Sequence, residues 1–458
     1  MSSLYSTMAI ATGALGAEQG ALNATTNNVA NANTPGYSRQ RPVLSESDPV
    51  VVGSVTYGTG VSLEKLQSLR DPILQRRIHE ETQQQGQLNA SVTAMQQAQV
   101  QFGSSSGDIG TEISNFFSSL GQLSTDPTNL ALRQGVLTAA VNLATAFHNT
   151  ANALTAQQSN LDLNVSQDVQ QINVLTGQIA TLNNQITELQ GVSQDASALV
   201  DQRDVLIGQL SNLVDVSTIQ SDNGLTLTTS NGTALVVGGQ SFALSTQTNP
   251  AGLQDIYAQG VDITAKLTSG DLAGRLQVRD QTIPGLLSNL DTLAASLANS
   301  LNTAHQQGFD LNGNAGGNLF VAPPVSGQGA ASSLTVQITD PSLIAASSDG
   351  SPGSNGNLTT LSAVQNQAVV GGQTPIDYYS NIVFAVGNDV ANGSAELSSS
   401  QLILNQLQDQ RGSISGVSLN EEAANMVQYQ RAFDASAQVV TTINDMLYTV
   451  INMGTLTG

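Results

Sequence analysis

From Leu137 onward, residues at alternating steps of three and four form a sixteen-position series. They are Leu137, Ala140, Ala144, Phe147, Ala151, Leu154, Gln158, Leu161, Val165, Asp168, Ile172, Leu175, Ile179, Leu182, Ile186 and Leu189, and fourteen of them are apolar. A 3.5-residue repeat keeps one apolar seam on one side of a helix, so the segment must be helical and the seam must be covered. The spacing allows one helix over 127–190, roughly 95 Å long, or a hairpin turning at 160–164. Charges beside the seam are sparse. No ion-pair code selects a partner, and packing within the chain is expected rather than a charge-specified dimer.

Both ends of the chain carry the same period. Leu4, Met8, Ala11, Leu15, Leu22 and Val29 lead, with Glu18 and Thr25 in the gaps. Leu419, Ala423, Met426, Phe433, Ala437, Val440, Leu447 and Ile451 close the chain, interrupted by Gln430 and Asn444. Helices with so little apolar bulk are unstable alone. They are expected to pair with each other and with neighbouring subunits; the alternative is two ordinary core helices at opposite ends of one domain.

Between these segments the pattern changes several times. Residues 38–70 read as strand-like or irregular, with β character at 50–52 and 55–57. Asp71-Pro72 and Asp126-Pro127 are helix starts, Asp capping and Pro at the first turn. The first of these helices is expected to run to about Phe102, the GSSSGD stretch at 103–108 is a break, and a shorter helix covers about 110–123. Residues 215–280 drop to period 2, punctuated by Asn223-Gly224, Asn231-Gly232 and Gly238-Gly239, which are hairpin signals. Pro284 opens a helix with Leu286, Leu290, Leu293, Leu297 and Leu301 on one face. Residues 307–375 are rich in Gly, Ser, Asn and Pro, with isolated β runs such as 334–338. A last internal helix covers about 377–410, and 411–416 is a loop.

The predicted fold is mainly α with an inserted β-rich domain, built on long antiparallel or coiled-coil helices. Its layout is palindromic and layered, with the N- and C-terminal helices paired and the β insertion farthest from them. The expected domains are 1–37 with 417–458, a helical core of 38–214 with 283–306 and 376–416, and a β-rich or irregular domain of 215–282 with 307–375.

Composition narrows the function. Aromatics are 4% of the 458 residues and Trp is absent, so bulk comes from aliphatic side chains. Only 10% of residues are charged, against roughly 25% in ordinary domains. A weakly charged, amide-rich surface packs on copies of itself without desolvating many ions. The net charge of −21 argues against nucleic acid, which needs a basic footprint. No Cys means no disulfide and no thiolate site. No continuous apolar run of about 18 residues is seen, so no membrane span is expected. Residues 1–30 lack the basic region and apolar core of a cleaved signal.

Motifs for chemistry fail one by one. His79-Glu80 has Gln83 where a zinc protease needs its second His. His148 and His305 have no partner at ligand spacing. The stretch 310–314 opens like a Ca²⁺ loop, but Ala315 and Val321 stand where Gly and Glu are required, and an Asx turn explains it better. Tyr378-Tyr379 reads as core. No phosphate loop or nucleophile elbow occurs. Catalytic residues, metal and cofactor are all expected to be none.

One stretch remains: NNVANANTPGYSRQ, residues 27–40. Asn27, Asn28, Ala30, Asn31, Asn33, Thr34, Pro35, Gly36 and Tyr37 closely resemble the N-terminal signature of the bacterial flagellar axial family of rod, hook and hook-associated proteins. The stretch SGVSLNEEAANMVQYQRAFDASAQVVTTINDMLYTVINM, residues 415–453, resembles the end of the hook–filament junction members. Residues 202–214 and 269–280 resemble their interior.

The resemblance implies a structural role: a ring-forming adaptor between hook and filament. The terminal helices would line an inner tube, the helical core an outer tube, and the β domain the surface. It implies Leu4, Met8, Leu15, Leu22, Val29, Leu419, Met426, Phe433, Val440, Leu447 and Ile451 as an assembly seam. Its expected partners are copies of itself, the hook protein, the filament-side hook-associated protein and a type III export chaperone on the C-terminal helix. It also implies an extracellular location reached without a cleaved signal. In a tube of packed copies, the signature asparagines are expected to offer their amides to neighbours.

Overall fold

The computed structural model describes residues 2–52, 54–103, 107–221 and 224–455; side chains at 2, 3, 52, 221 and 453–455 lie outside this description. In chain order the elements begin with α1 (Ser2–Ala30), β1 (Gln40–Glu46), β2 (Val50–Val52), β3 (Val55–Tyr57) and β4 (Val61–Ser68). The helices α2 (Pro72–Val100), α3 (Ile109–Leu123), α4 (Leu130–Gly191) and α5 (Ser197–Leu213) follow. Next come β5 (Ser217–Ser221), β6 (Gly224–Thr228), β7 (Ala234–Val237), β8 (Gln240–Ser241), β9 (Leu244–Thr248), β10 (Gln254–Ala258) and β11 (Val261–Asp262). The chain closes with α6 (Gly270–Gln277), α7 (Ile283–Gln306), α8 (Ala330–Ser333), α9 (Gly356–Ala363), α10 (Pro375–Ser415) and α11 (Leu419–Thr455).

By compactness the chain forms two units, 1–83 with 172–243 and 401–458, and 84–171 with 244–400. This grouping differs from the three-domain layout read from sequence. Residues 215–243 fall in the unit that holds both termini, because Asn183 on α4 donates to the Leu225 and Gly238 carbonyls and Gln83 donates to Val216 O.

The long seam is one helix, not a hairpin. Thirteen of its sixteen positions are buried; Gln158, Leu182 and Leu189 are half-buried. Its start differs from expectation. Asp126-Pro127 forms a turn, and Asn129 caps α4 by accepting from the Ala131 and Leu132 amides. One 18-residue window of α4 reaches a mean hydropathy of 1.2, so by length and composition alone this helix could cross a membrane, although it has no continuous apolar run. Leu143, Phe147, Ala151 and Leu154 of α4 are packed into the core of the second unit.

That core also takes the whole predicted face of α7, from Leu286 to Leu301. The helix begins earlier than Pro284: α6 runs through a π-helical turn, Val278–Thr282, into α7. Residues 307–375 make only isolated bridges, including Phe320↔Val336, where β runs were expected. Their backbone is instead held by side chains: Asn302 bonds both ways with Phe320, and Asn357 donates to the Ala304 and Ala345 carbonyls. Tyr379 is core, donating to Phe102 O.

In the first unit, Asp71 caps α2 as its sequence predicts. β1 and β4 form an antiparallel ribbon against α1, despite Pro42, and β2–β3 form a separate two-stranded ribbon between them in sequence. The expected hairpins at Asn231-Gly232 and Gly238-Gly239 join β6–β7 and β7–β8. Asn223 and residues 104–106, also singled out from sequence, lie outside the described residues. The expected loop at 411–416 is helical to Ser415.

Candidate functional site

The terminal pair is built from small residues. α1 and α11 pack together, and Asn28 near the end of α1 meets Glu422 at the start of α11, so the helices are antiparallel. Ala17, Ala21, Ala24, Thr25 and Asn28 are buried on α1, which also carries the β1–β4 ribbon on its flank. On α11 the covered stripe is Glu422, Met426, Tyr429, Phe433, Ser436, Val440, Ile443 and Leu447, at steps of four and three.

Met426, Phe433, Val440 and Leu447 of the expected seam lie on that stripe. Leu419 and Ile451 do not: they are 55% and 61% exposed. Leu4, Met8, Leu15 and Leu22 are half-buried and Val29 is exposed. Half of the covered face thus coincides with the apolar pattern. In the other half Glu422, not Ala423, is buried, and Tyr429, not Gln430, is half-buried, while Ser436 and Ala437 are both half-buried.

That corner is the Asn-rich stretch. Asn28 is 1% exposed and uses its whole amide. Its Nδ2 donates to Gln40 O (2.8 Å) and Glu422 Oε2 (3.1 Å); its Oδ1 accepts from Tyr37 Oη (2.8 Å) and Gln40 N (2.9 Å). Asn31 donates to Asn27 Oδ1, and Thr34 donates to Asn31 Oδ1. Gly36 has φ +82°, and a Cβ there would collide with Val205, so Gly is required at this turn. Asn28 and Tyr37 therefore work inside the chain, contrary to the expectation that the amides face neighbours. Asn27, Asn33 and Pro35 are exposed.

Contacts of Ser38 and of three arginines tie the corner down. Arg39 pairs with Glu421 and Glu422, each at 2.6 Å, and its amide donates to Ser415 O. Ser38 donates to Asp201 through both its amide and its hydroxyl. Arg70 also reaches Asp201 (2.7 Å), and Arg411 donates to Gly36 O (2.8 Å). Burial, reinforced by the Asp201 and Glu422 carboxylates, pushes the Tyr37 hydroxyl up to about 12, so it stays a donor. Arg39, Arg70, Asp201 and Arg411 were missed from sequence, and Glu422 stood there only as part of the C-terminal resemblance. Their signal was scarcity: the chain has only 13 Lys and Arg, and three of them converge here.

The histidines are structural. His79 is buried against Gln75, and burial followed by the nearby Arg411 charge lowers it to about 4. His305 bridges the Gly317 carbonyl and the Ala345 amide, and His148 bonds Ser332 O. Asp310 accepts from the Asn312 and Asn314 amides, which is an Asx turn. Among the described residues no group of three His, Asp or Glu is placed to hold a metal.

Three sequence families match: the flagellar hook-associated protein FlgK helical domain over 95–320, the basal body rod FlgEFG C-terminal family over 410–453 and the flagella basal body rod family over 8–37. Flagellar hook-associated protein 1 of Bacillus subtilis (strain 168) is 28% identical, covering 99% of both chains.

Over nearly its whole length the chain is similar to the flagellar hook-associated proteins.

Its Escherichia coli (strain K12) relative, of the same name, is 27% identical over 96% of this chain and 98% of its own. The hook junction protein FlgK from Burkholderia pseudomallei shares the fold, with a TM-score of 0.67 and 18% identity over 74% of this chain and 100% of that one. The protein is a structural component of the bacterial flagellum. Its axial relatives match at the two terminal segments, which are the segments that pair in the fold.

Proposed function

We propose that this protein is the adaptor between hook and filament, assembling as a ring of copies, outside the cell. One observation carries the reading. α11 covers a single stripe against α1 and leaves Leu419, Tyr448 and Ile451 largely exposed, so the terminal pair has apolar surface to bury on neighbours. Full-length likeness to proteins named hook-associated protein 1 supports the junction over another axial position, such as hook or distal rod.

In this reading the terminal layer is 1–37 with 417–458. The seam residues Leu4, Met8, Leu15, Leu22, Val29, Leu419, Met426, Phe433, Val440, Leu447 and Ile451 serve the intramolecular pair or its neighbours. The hook protein and the filament-side junction protein flank the ring. A chaperone holds α11 during export through the type III route. The role is mechanical and not enzymatic.

The test is complementation. A strain lacking its junction protein makes hooks but releases filament subunits unassembled. Expression of this chain is expected to restore attached filaments. Rescue of a hookless strain instead would move the protein to the hook.

A further inference from the structure

Basic residues are scarce in this chain, and one cavity gathers several. A hollow of about 320 Å³ opens between the start of α2, α5, the β5–β6 hairpin and the end of α10. Arg70, Arg76, Arg203 and Arg411 line it, out of 13 Lys and Arg in a chain of net charge −21.

Two of the four are neutralised. Arg70 meets Asp201 at 2.7 Å and Arg76 faces Glu80 at 3.7 Å. The other two form no salt bridge among the described residues. Arg203 is 8% exposed, yet its guanidinium donates only from Nη1, to Asn183 Oδ1 at 3.0 Å, and its Nε–H has no acceptor. Arg411 uses Nη2 on Gly36 O at 2.8 Å. A buried cation with an unused donor is costly unless an anion supplies the acceptor.

The cavity's own carboxylates do not supply it. Asp71 is engaged by the Ile73 and Leu74 amides at the first turn of α2. Asp204 stands 3.9 Å from Arg70, and burial raises its carboxyl against the pull of Arg70, Arg203 and Arg411. His79, also in the lining, stays neutral. Leu74, Ile207 and Leu225 are buried at the apolar side, where a charge-assisted hydrogen bond is stronger than in water.

We propose that this cavity binds a free oxyanion of the phosphate class between Arg203 and Arg411. A planar carboxylate pairs edge to edge with one guanidinium. A tetrahedral anion offers acceptors on several sides, so donors from α5 and α10 can share it. Arg411 already holds the Gly36 carbonyl, so the bound anion ties the Asn-rich turn to α5. The proposal stands apart from the junction role and adds a small-molecule ligand to the corner.

General attraction for anions is absent on so acidic a chain, so saturable uptake reports a local site. The test is equilibrium dialysis of the purified full-length protein against radiolabelled inorganic phosphate, with chloride holding the ionic strength constant. One phosphate per chain is expected. The calorimetric midpoint is expected to rise by a few degrees at about a hundredfold excess over the dissociation constant. Gln220→Glu places a carboxylate on the lining from an exposed strand position and is expected to weaken uptake roughly tenfold or more, as is Arg203→Met. Arg431→Gln, exposed on α11, is expected to leave uptake unchanged. If circular dichroism shows that Arg203→Met fails to fold, Gln220→Glu decides. Absence of saturable uptake, uptake undiminished in Gln220→Glu, an equal loss in Arg431→Gln, or a preference for acetate over phosphate overturns the proposal.

Discussion

Helices α7 and α11 carry the same kind of leucine-spaced stripe and meet opposite fates. α7 buries Leu286, Leu290, Leu293, Leu297 and Leu301 in a core shared with α3 and α4. Among the described residues of α11 only Glu422 and Ile443 are fully buried. Its stripe rests against α1, whose buried face is mostly Ala, and polar contacts fix one end. An apolar period thus reports that a face will be covered, not whether the same chain covers it. In α7 the cover is intramolecular and complete. In α11 it is half supplied.

The contrast can be broken most sharply at the cores. Phe147→Ala, a fully buried ring, is expected to cost about 3–5 kcal/mol, visible as a large fall in thermal midpoint by calorimetry. Phe433→Asp and Leu447→Asp are expected to leave that transition in place and yet abolish attached filaments. Normal motility in either variant would remove α11 from the assembly.

Asn28→Ala should come next, at roughly 2 kcal/mol in denaturant titration, because it removes the side-chain bonds to the Gln40 backbone, Tyr37 Oη and Glu422 Oε2. Gly36→Ala should cost about 1–2 kcal/mol from its positive φ, and more from the collision with Val205. A neutral Asn28→Ala would mean that the corner is not the clasp of the terminal pair.

The smallest effect concerns pH. Burial pushes the Asp168 carboxyl up to about 6, against the opposing pull of Arg275. The folded chain then holds this proton more tightly than the unfolded one. The stability it contributes is complete below about pH 4 and is lost as pH rises to about 6. Asp168→Asn should flatten that slope by a few degrees of thermal midpoint. An identical pH profile in the variant would show that Arg275 keeps Asp168 ionised throughout.

How far the sequence was legible follows the range of each interaction. The α4 seam and the α7 face were readable because helical period and burial coincide over many residues. The Asp71 cap is local and was readable too. The start of α4 was misplaced by three residues because Asn129, not Asp126, supplies the capping oxygen. At the start of α11 the face was off by one residue because Glu422, not Ala423, is held by Arg39 and Asn28, hundreds of residues away. The corner motif identified itself, but its wiring to Asp201, Arg70 and Arg411 had no local trace. In 307–375 the apolar runs are real, and amides such as Asn302 and Asn357 bond the backbone where strands would have done so.

The bond between Asn28 and Glu422 joins residues 394 positions apart. Closing a flexible loop of that length costs about 5 kcal/mol beyond the constant term, so the clasp cannot nucleate folding. The interior must fold first and deliver the two ends to each other. The terminal pair is therefore the last layer to close, and a chain that emerges from synthesis or a narrow conduit keeps its ends open longest. Timing, as much as geometry, leaves them available to whatever they meet first.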